Sequence, residues 1–183
     1  MCIRDSLQLG LGVRTVATSR QFTQGSLQQS GNNLDVAVNG GGFLQVTMPD
    51  GTTGYTRDGS LQLDAQGRLV TSSGYPLTAG ITIPPEAQSV TIGNDGVVSA
   101  KMPGQATPQA VGTIELANFV NPAGLEPRGQ NLFGESLASG NPITGAPGTA
   151  GMGTLMQGFV ETSNVNVVQE LVTMIQTQRA YEM

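Results

Sequence analysis

DVAVNGGGFLQVTMPDG, residues 35–51, is the stretch on which the fold turns. Apolar and polar residues alternate through DVAV and again through FLQVTM. That places Val36 and Val38, then Leu44, Val46 and Met48, on one face of an extended chain. Asp50-Gly51 follows at once, a dipeptide suited to the positive φ angles of a tight hairpin. The pattern predicts half-buried strands closed by a turn.

The same grammar continues outward. Turn signals sit at Asp58-Gly59, Gln66-Gly67, Ser73-Gly74 and Asp95-Gly96. Between and beyond them lie SLQLD, RLVT, ITI, SVTI and GVVSA, each the length of a strand. Pro84-Pro85 interrupts the run and VGTIELANFV (111–120) restores it, so residues 34–120 predict an antiparallel β domain. Residues 7–33 are expected to enter it as an extended segment. In 121–160 glycine and proline crowd around isolated apolar residues, which predicts an extended or loop connecting segment. It is long for a loop, and such a stretch is expected to lie against a neighbouring surface. MCIRDS (1–6) matches nothing downstream and is expected to be a non-native remnant, Cys2 with it.

The periodicity changes at the C-terminus. In VVQELVTMIQTQRAYEM (167–183), Val168, Leu171, Val172 and Ile175 recur at three- and four-residue spacing, with Gln169, Glu170, Thr173 and Gln176 opposite. Asn166 is placed to cap this helix, with Gln169 in the capping-box position. So short a helix is marginal in water without a packing partner. Its stripe reaches the last residue with no stop signal, so 161–183 is expected to be the truncated start of an assembly helix. The fold class expected is mainly β: an antiparallel β domain, Gly/Pro-rich extended connections, and a C-terminal helix belonging to a coiled-coil-like helical domain.

Composition narrows function. The 183 residues carry a net charge of −5 with 8 Lys+Arg, and aromatics make up 4% with no Trp. Nucleic-acid binding needs clustered basic residues and stacking platforms, and both are in short supply. Histidine is absent, which removes the commonest general base, the Ser-His-Asp triad and most zinc sites. A single cysteine allows no internal disulfide. No apolar run approaches the roughly 20 residues of a membrane-spanning helix, and MCIRDSLQLG lacks the apolar core of a signal peptide. Asn39-Gly40-Gly41-Gly42 is read as a hairpin or bulge rather than a phosphate loop, because a strand and not a helix follows it. Asp50, Asp58, Asp64 and Asp95 offer carboxylates for glycoside hydrolysis or calcium, but their turn-like settings assign them to local backbone hydrogen bonds. Arg179 and Tyr181 are read as a partner-facing helix end. No catalytic residue, cofactor, metal or small-molecule substrate is expected.

Three stretches together carry more. GNNLDVAVNGGGFLQV (31–46), YTRDGSLQLDAQGRLVTSSGYPL (55–77) and ETSNVNVVQELVTMIQTQRAYEM (161–183) resemble the flagellar basal-body rod and hook family. The signature is Ser163, Asn164 and Val165 followed by ELVTMIQTQRAYE, with Gln178, Arg179, Ala180 and Tyr181 at its end. Leu44 stands where a second Phe is usual, and Gly31 where a more polar residue is usual. GVRTVATSRQFTQGSL (12–27) points to the distal part of the rod, with proximal rod and hook proteins as alternatives; a secreted glycan-binding or glycan-cleaving β domain is a remote one. The resemblance implies a structural subunit that polymerises into a hollow, torque-transmitting shaft. Val168, Leu171, Val172 and Ile175 would then meet the N-terminal helix and those of neighbouring copies. It also implies as partners other copies of the chain, proximal rod and hook proteins, the periplasmic and outer-membrane rings and the type III export apparatus. Location in the basal body without a cleaved signal peptide follows from the same resemblance.

Overall fold

A computed structural model describes residues 22–182 apart from Ala106, Ala150 and Asn166, and only the backbone of Tyr181 and Glu182. MCIRDS, residues 7–21 of the expected entry segment and the expected cap Asn166 lie outside the described residues. Strands run in chain order as β1 (Leu27–Gln29), β2 (Val36–Asn39), β3 (Phe43–Thr47), β4 (Thr53–Thr56), β5 (Leu61–Leu63), β6 (Leu69–Thr71), β7 (Ser89–Ile92), β8 (Val97–Lys101), β9 (Gln109–Thr113) and β10 (Leu116–Asn118). They continue as β11 (Glu126–Gly129), β12 (Leu132–Gly134), β13 (Ile143–Gly145), β14 (Thr154–Gln157) and β15 (Phe159–Glu161), and the helix α1 (Val167–Glu182) follows. The fold is mainly β, every ladder is antiparallel, and the described chain ends in one helix.

The β3–β4 hairpin forms where expected, pairing Leu44 with Thr56 and Thr47 with Thr53. Gly51 takes φ 79 in its turn, and Asp50 Oδ1 accepts the Thr52 N–H at 3.0 Å. Val36, Val38, Leu44 and Val46 are fully buried in a core shared with Leu61, Leu69, Val98 and Leu116. Simple alternation underestimates this region. Phe43 and Ala37 are also buried, so β2 and β3 are covered on both faces. The second face of β3 meets an aromatic cluster. Phe43 packs edge-on against Phe22, Phe119 and Phe133, and Tyr55 against Phe119 with centroids 4.8 Å apart. Edge-to-face pairing aligns the positive rim of one ring with the negative face of the next.

One expectation changes and two gain detail. Asn39–Gly42 is neither hairpin nor bulge but a corner, because β2 pairs with β14 while β3 pairs with β4 and β10. Gly40 (φ 113) and Gly42 (φ 128) supply the left-handed backbone that turns the chain from one sheet to the other. VGTIELANFV restores the run of strands in two pieces. It divides into β9, beside β8, and β10, beside β3, with the Ile114 N–H donating to the Gly96 carbonyl at the break. Residues 121–160, expected as an extended or loop connection, are hydrogen-bonded into the sheets. There β12 joins β4, β13 joins β10, and β14 pairs with β2 from Thr154↔Asn39 to Gln157↔Val36. Four of the isolated apolar residues of this stretch are single core plugs: Leu125, Leu132, Met152 and Leu155 are buried.

The two ends of the described core run side by side. β1 and β15 form a separate two-stranded ribbon, Leu27 opposite Glu161 and Gln29 opposite Phe159. The chain enters along one strand and leaves along the other toward α1.

Candidate assembly surface and the clamp at its base

The signature residues lie along the exit from the ribbon. Asn164 donates from Nδ2 to the Thr23 carbonyl (3.0 Å) and hydroxyl (2.8 Å), tying the exit segment to the entry segment across 141 positions. The Ser163 hydroxyl accepts the Val165 N–H at 3.2 Å just before the helix begins. Thr162 adds two donations, N–H and hydroxyl, to the Ser26 carbonyl, each at 2.9 Å.

Beyond this junction the α1 side chains from Val167 to Ala180 are exposed. Glu170 stands in its first turn and Arg179 in its last, each opposite in sign to the helix-dipole end it faces. Val168 is 70% exposed, Leu171 51%, Val172 46% and Ile175 49%. Val167 and Met174 are exposed as well. Both carry the i, i+4, i+7 spacing through Leu171 and extend the four-residue stripe expected from sequence. At 3.6 residues per turn the apolar arc from Met174 round to Val172 spans roughly 160°. Gln178 lies along this arc, Arg179 and Ala180 are exposed in the last turns, and the Tyr181 side chain lies outside the described residues.

At the foot of the ribbon sits a residue without a sequence signal of its own. Arg57, just after β4, donates from Nε to Glu161 Oε2 (2.9 Å), from Nη1 to the carbonyls of Gly40 (3.0 Å) and Gly42 (3.1 Å), and from Nη2 to the carbonyl of Val38 (3.1 Å). Its guanidinium also lies 6.0 Å from the Phe43 ring centroid. Glu161 uses its other oxygen to accept the Gly25 N–H at 2.8 Å. The glycine corner thus offers carbonyl oxygens to a cation, the opposite of a phosphate loop. Both side chains are mostly buried, 17% and 13% exposed, and together they line an open cavity of about 470 Å³ with Phe22, Asp58, Phe133 and Asn164.

The four aspartates considered for chemistry are engaged in turns. Asp58 Oδ1 accepts the Ser60 N–H, Asp95 Oδ1 the Val97 N–H, and Asp64 the N–H groups of Gln66 and Arg68 together with the Arg68 guanidinium at 2.7 Å. Hydrogen bonds from the Thr52 hydroxyl and N–H hold the Asp50 carboxyl below its ordinary value of 3.8. Desolvation pushes Asp64 up, but the Arg68 and Gln66 donors outweigh it and hold that carboxyl below 3.8 too. A folded-state value below the unfolded one means the unfolded chain takes up the proton first. The stabilisation is present above pH 3.8 and is lost as pH falls through the lowered folded value. Asp64→Asn is therefore expected to lower the urea midpoint at pH 7, with the gap to the parent closing below pH 3.8. A gap that stays constant down to pH 3 would show that charge plays no part. Among the described residues no group of three or more acidic or sulfur ligands is gathered to hold a metal. No described helix is long and apolar enough to cross a membrane.

Comparison with known proteins meets this geometry at both ends. Residues 37–100 match the model described as the flagellar hook protein FlgE/F/G D1 domain, and 156–183 the flagellar basal-body rod FlgEFG protein C-terminal model. The flagellar basal-body rod protein FlgG of Buchnera aphidicola (subsp. Schizaphis graminum) is 56% identical over 178 residues, 97% of this chain and 68% of the relative. The chain belongs to the flagellar basal-body rod family. Two Caulobacter vibrioides members of that family separate its branches. The rod protein FlgG is 45% identical over 99% of this chain and 69% of its own length, whereas FlgF is 36% identical over 93% and 66%. As a member of the rod family, this chain is a structural subunit of the flagellar basal body. The rod-family C-terminal match spans the ribbon strand β15, the Asn164 tie and α1 in one piece.

Proposed function

We propose that this chain is a distal-rod subunit that polymerises with copies of itself, through the apolar arc of α1, into a hollow shaft carrying torque from motor to hook. The observation that carries the reading is the width of that arc. A helix with one partner needs only a narrow seam, whereas an arc of roughly 160° suits packing on two sides at once. Val168, Leu171, Val172 and Ile175 make up most of it, and Val167 and Met174 widen it on the Leu171 side. Because entry and exit strands leave the core together, pairing of the N-terminal segment with α1, as the family resemblance implies, is sterically direct. The higher identity to FlgG than to FlgF within one organism favours the distal rod over the FlgF branch. In this reading the other partners are proximal rod and hook proteins at the ends of the shaft, the periplasmic and outer-membrane rings around it, and the type III apparatus that exports it without a cleaved signal peptide. The role is mechanical rather than catalytic, which accords with carboxylates engaged in turns.

Leu171→Asp in the intact protein tests it. A carboxylate forced into a dry helix–helix seam without a partner costs several kcal/mol. The β core is far from the change and should melt at the parent temperature. The expected outcome is export of a folded subunit that forms no rods and supports no swimming; normal rods from this variant would end the proposal.

A further inference from the structure

We propose that Arg57 is the positioning residue that pins the β1–β15 ribbon, and with it both chain ends, to the β core. This rests on the rod reading for its purpose, because a shaft subunit passes load onward only if its core and its helical ends move as one body. The geometry stands without that reading. Arg57 and Glu161 are the only ion pair joining ribbon to core among the described residues; the other pair, Arg68–Asp64, is local to one turn.

Four of the guanidinium's five N–H donors are committed, and they converge from three directions. One holds the end of β2 at Val38, two hold the Gly40–Gly42 corner, and one holds β15 at Glu161. Glu161 passes the connection on to the Gly25 N–H in the entry segment. Removing Arg57 thus loosens both strands of the ribbon at one point, with the Gln24 bonds to Val38 and Gly40 left on the entry side. The ribbon's base has no slack there: a Cβ added at Gly25 would lie 1.8 Å from the Thr162 carbonyl oxygen. Only arginine's planar fork serves this site. A lysine ammonium is a compact point charge with three donors, and cannot span three carbonyls and a carboxylate spread around a plane. The aromatic face of Phe43 beneath the guanidinium favours the same choice.

Amide hydrogen exchange on the 183-residue chain separates a pin from a general stabiliser. The ribbon reporters are the N–H groups of Gly25 and Thr162, which donate to Glu161 and Ser26. The core reporters are those of Thr47 and Leu69, which donate to Pro76 and Ile81. In Arg57→Gln the ribbon amides are expected to exchange at least about tenfold faster while the core amides change less than about twofold, and Arg57→Lys should behave like Arg57→Gln. Should Arg57→Gln fail to fold, Glu161→Gln provides the same comparison, since it removes the charge but leaves an oxygen for Gly25. Equal acceleration of ribbon and core, or no acceleration in either, overturns the proposal. These outcomes are independent of assembly: if Leu171→Asp still builds rods, the rod reading falls while the exchange result continues to decide the role of Arg57.

Discussion

Gly59→Ala is expected to be among the most damaging single changes in the β core, lowering stability by about 4 kcal/mol, the upper end for one substitution. An added Cβ at Gly59 would lie 1.6 Å from the Val36 carbonyl oxygen and 2.7 Å from its carbon. Those are backbone atoms, so no rotamer change relieves the clash. The two segments must separate. Separation breaks the hydrogen bond from the Val36 N–H to the Gly59 carbonyl (2.9 Å) and the neighbouring Asp35↔Ser60 bridge. It also disturbs Arg57, two residues upstream, and the fully buried Val36. Gly74→Ala is the control. Gly74 has φ 86 with nothing near its missing Cβ, so alanine there bears only the left-handed penalty of about 1–2 kcal/mol. At 2–4 °C per kcal/mol for a chain of this size, the first variant should melt roughly 8–16 °C below the parent and the second only a few degrees below. If the two melt alike, close backbone approach is not what selects glycine at position 59.

How far the sequence carried the fold depended on how local each signal was. Val36, Val38, Leu44 and Val46 were legible because a period of two is written in consecutive residues. Asp50-Gly51 was legible because a turn is closed by its own residues. Pairing was not. β2 and β3 are separated by three glycines yet lie in different sheets, and β2 finds its partner in β14, more than a hundred residues on. No short-range pattern encodes that choice, which is settled by tertiary packing. The α1 stripe was readable, and the same spacing extends to Val167 and Met174. Arg57 was not readable. It sits in YTRDG as one of the chain's few cations, and its partner is 104 positions away. Asn164 was visible only as part of a family signature; its tie to Thr23 gives that signature a physical reason.

Low charge and clamp geometry belong together. With 8 Lys+Arg in 183 residues there are few cations to bury, and one of them is placed where four of its five N–H groups find acceptors. A buried pair of this kind adds little net stability over a well-packed apolar pair, but losing one partner leaves the other charge stranded. What such a pair fixes is geometry, and geometry is what a subunit needs when its two chain ends must leave together.

The Gly/Pro-rich stretch supplies the second large effect, because it decides whether residues 121–160 connect the β domain or complete it. Leu155→Ala is expected to destabilise the chain by about 2–5 kcal/mol, the range for emptying a buried leucine site. Leu155 is 0% exposed, sits opposite Val38 on β14 and donates its N–H to the Asn94 carbonyl at 3.2 Å. Its side chain closes the same core as Leu44 and Leu116. Against a total stability of roughly 5–15 kcal/mol, that is a large share of what holds a domain folded. Leu137 in the same stretch is the contrast. It is fully exposed on the turn between Ser136 and Ser139, so Leu137→Ala should stay within about 0.5 kcal/mol of the parent. Urea unfolding of both variants distinguishes the cases. If the stretch completes the core, the Leu155→Ala midpoint falls sharply with an unchanged slope and Leu137→Ala overlays the parent. If both variants overlay the parent, the core is built without β14, and the Thr154–Gln157 ladder on β2 is dispensable.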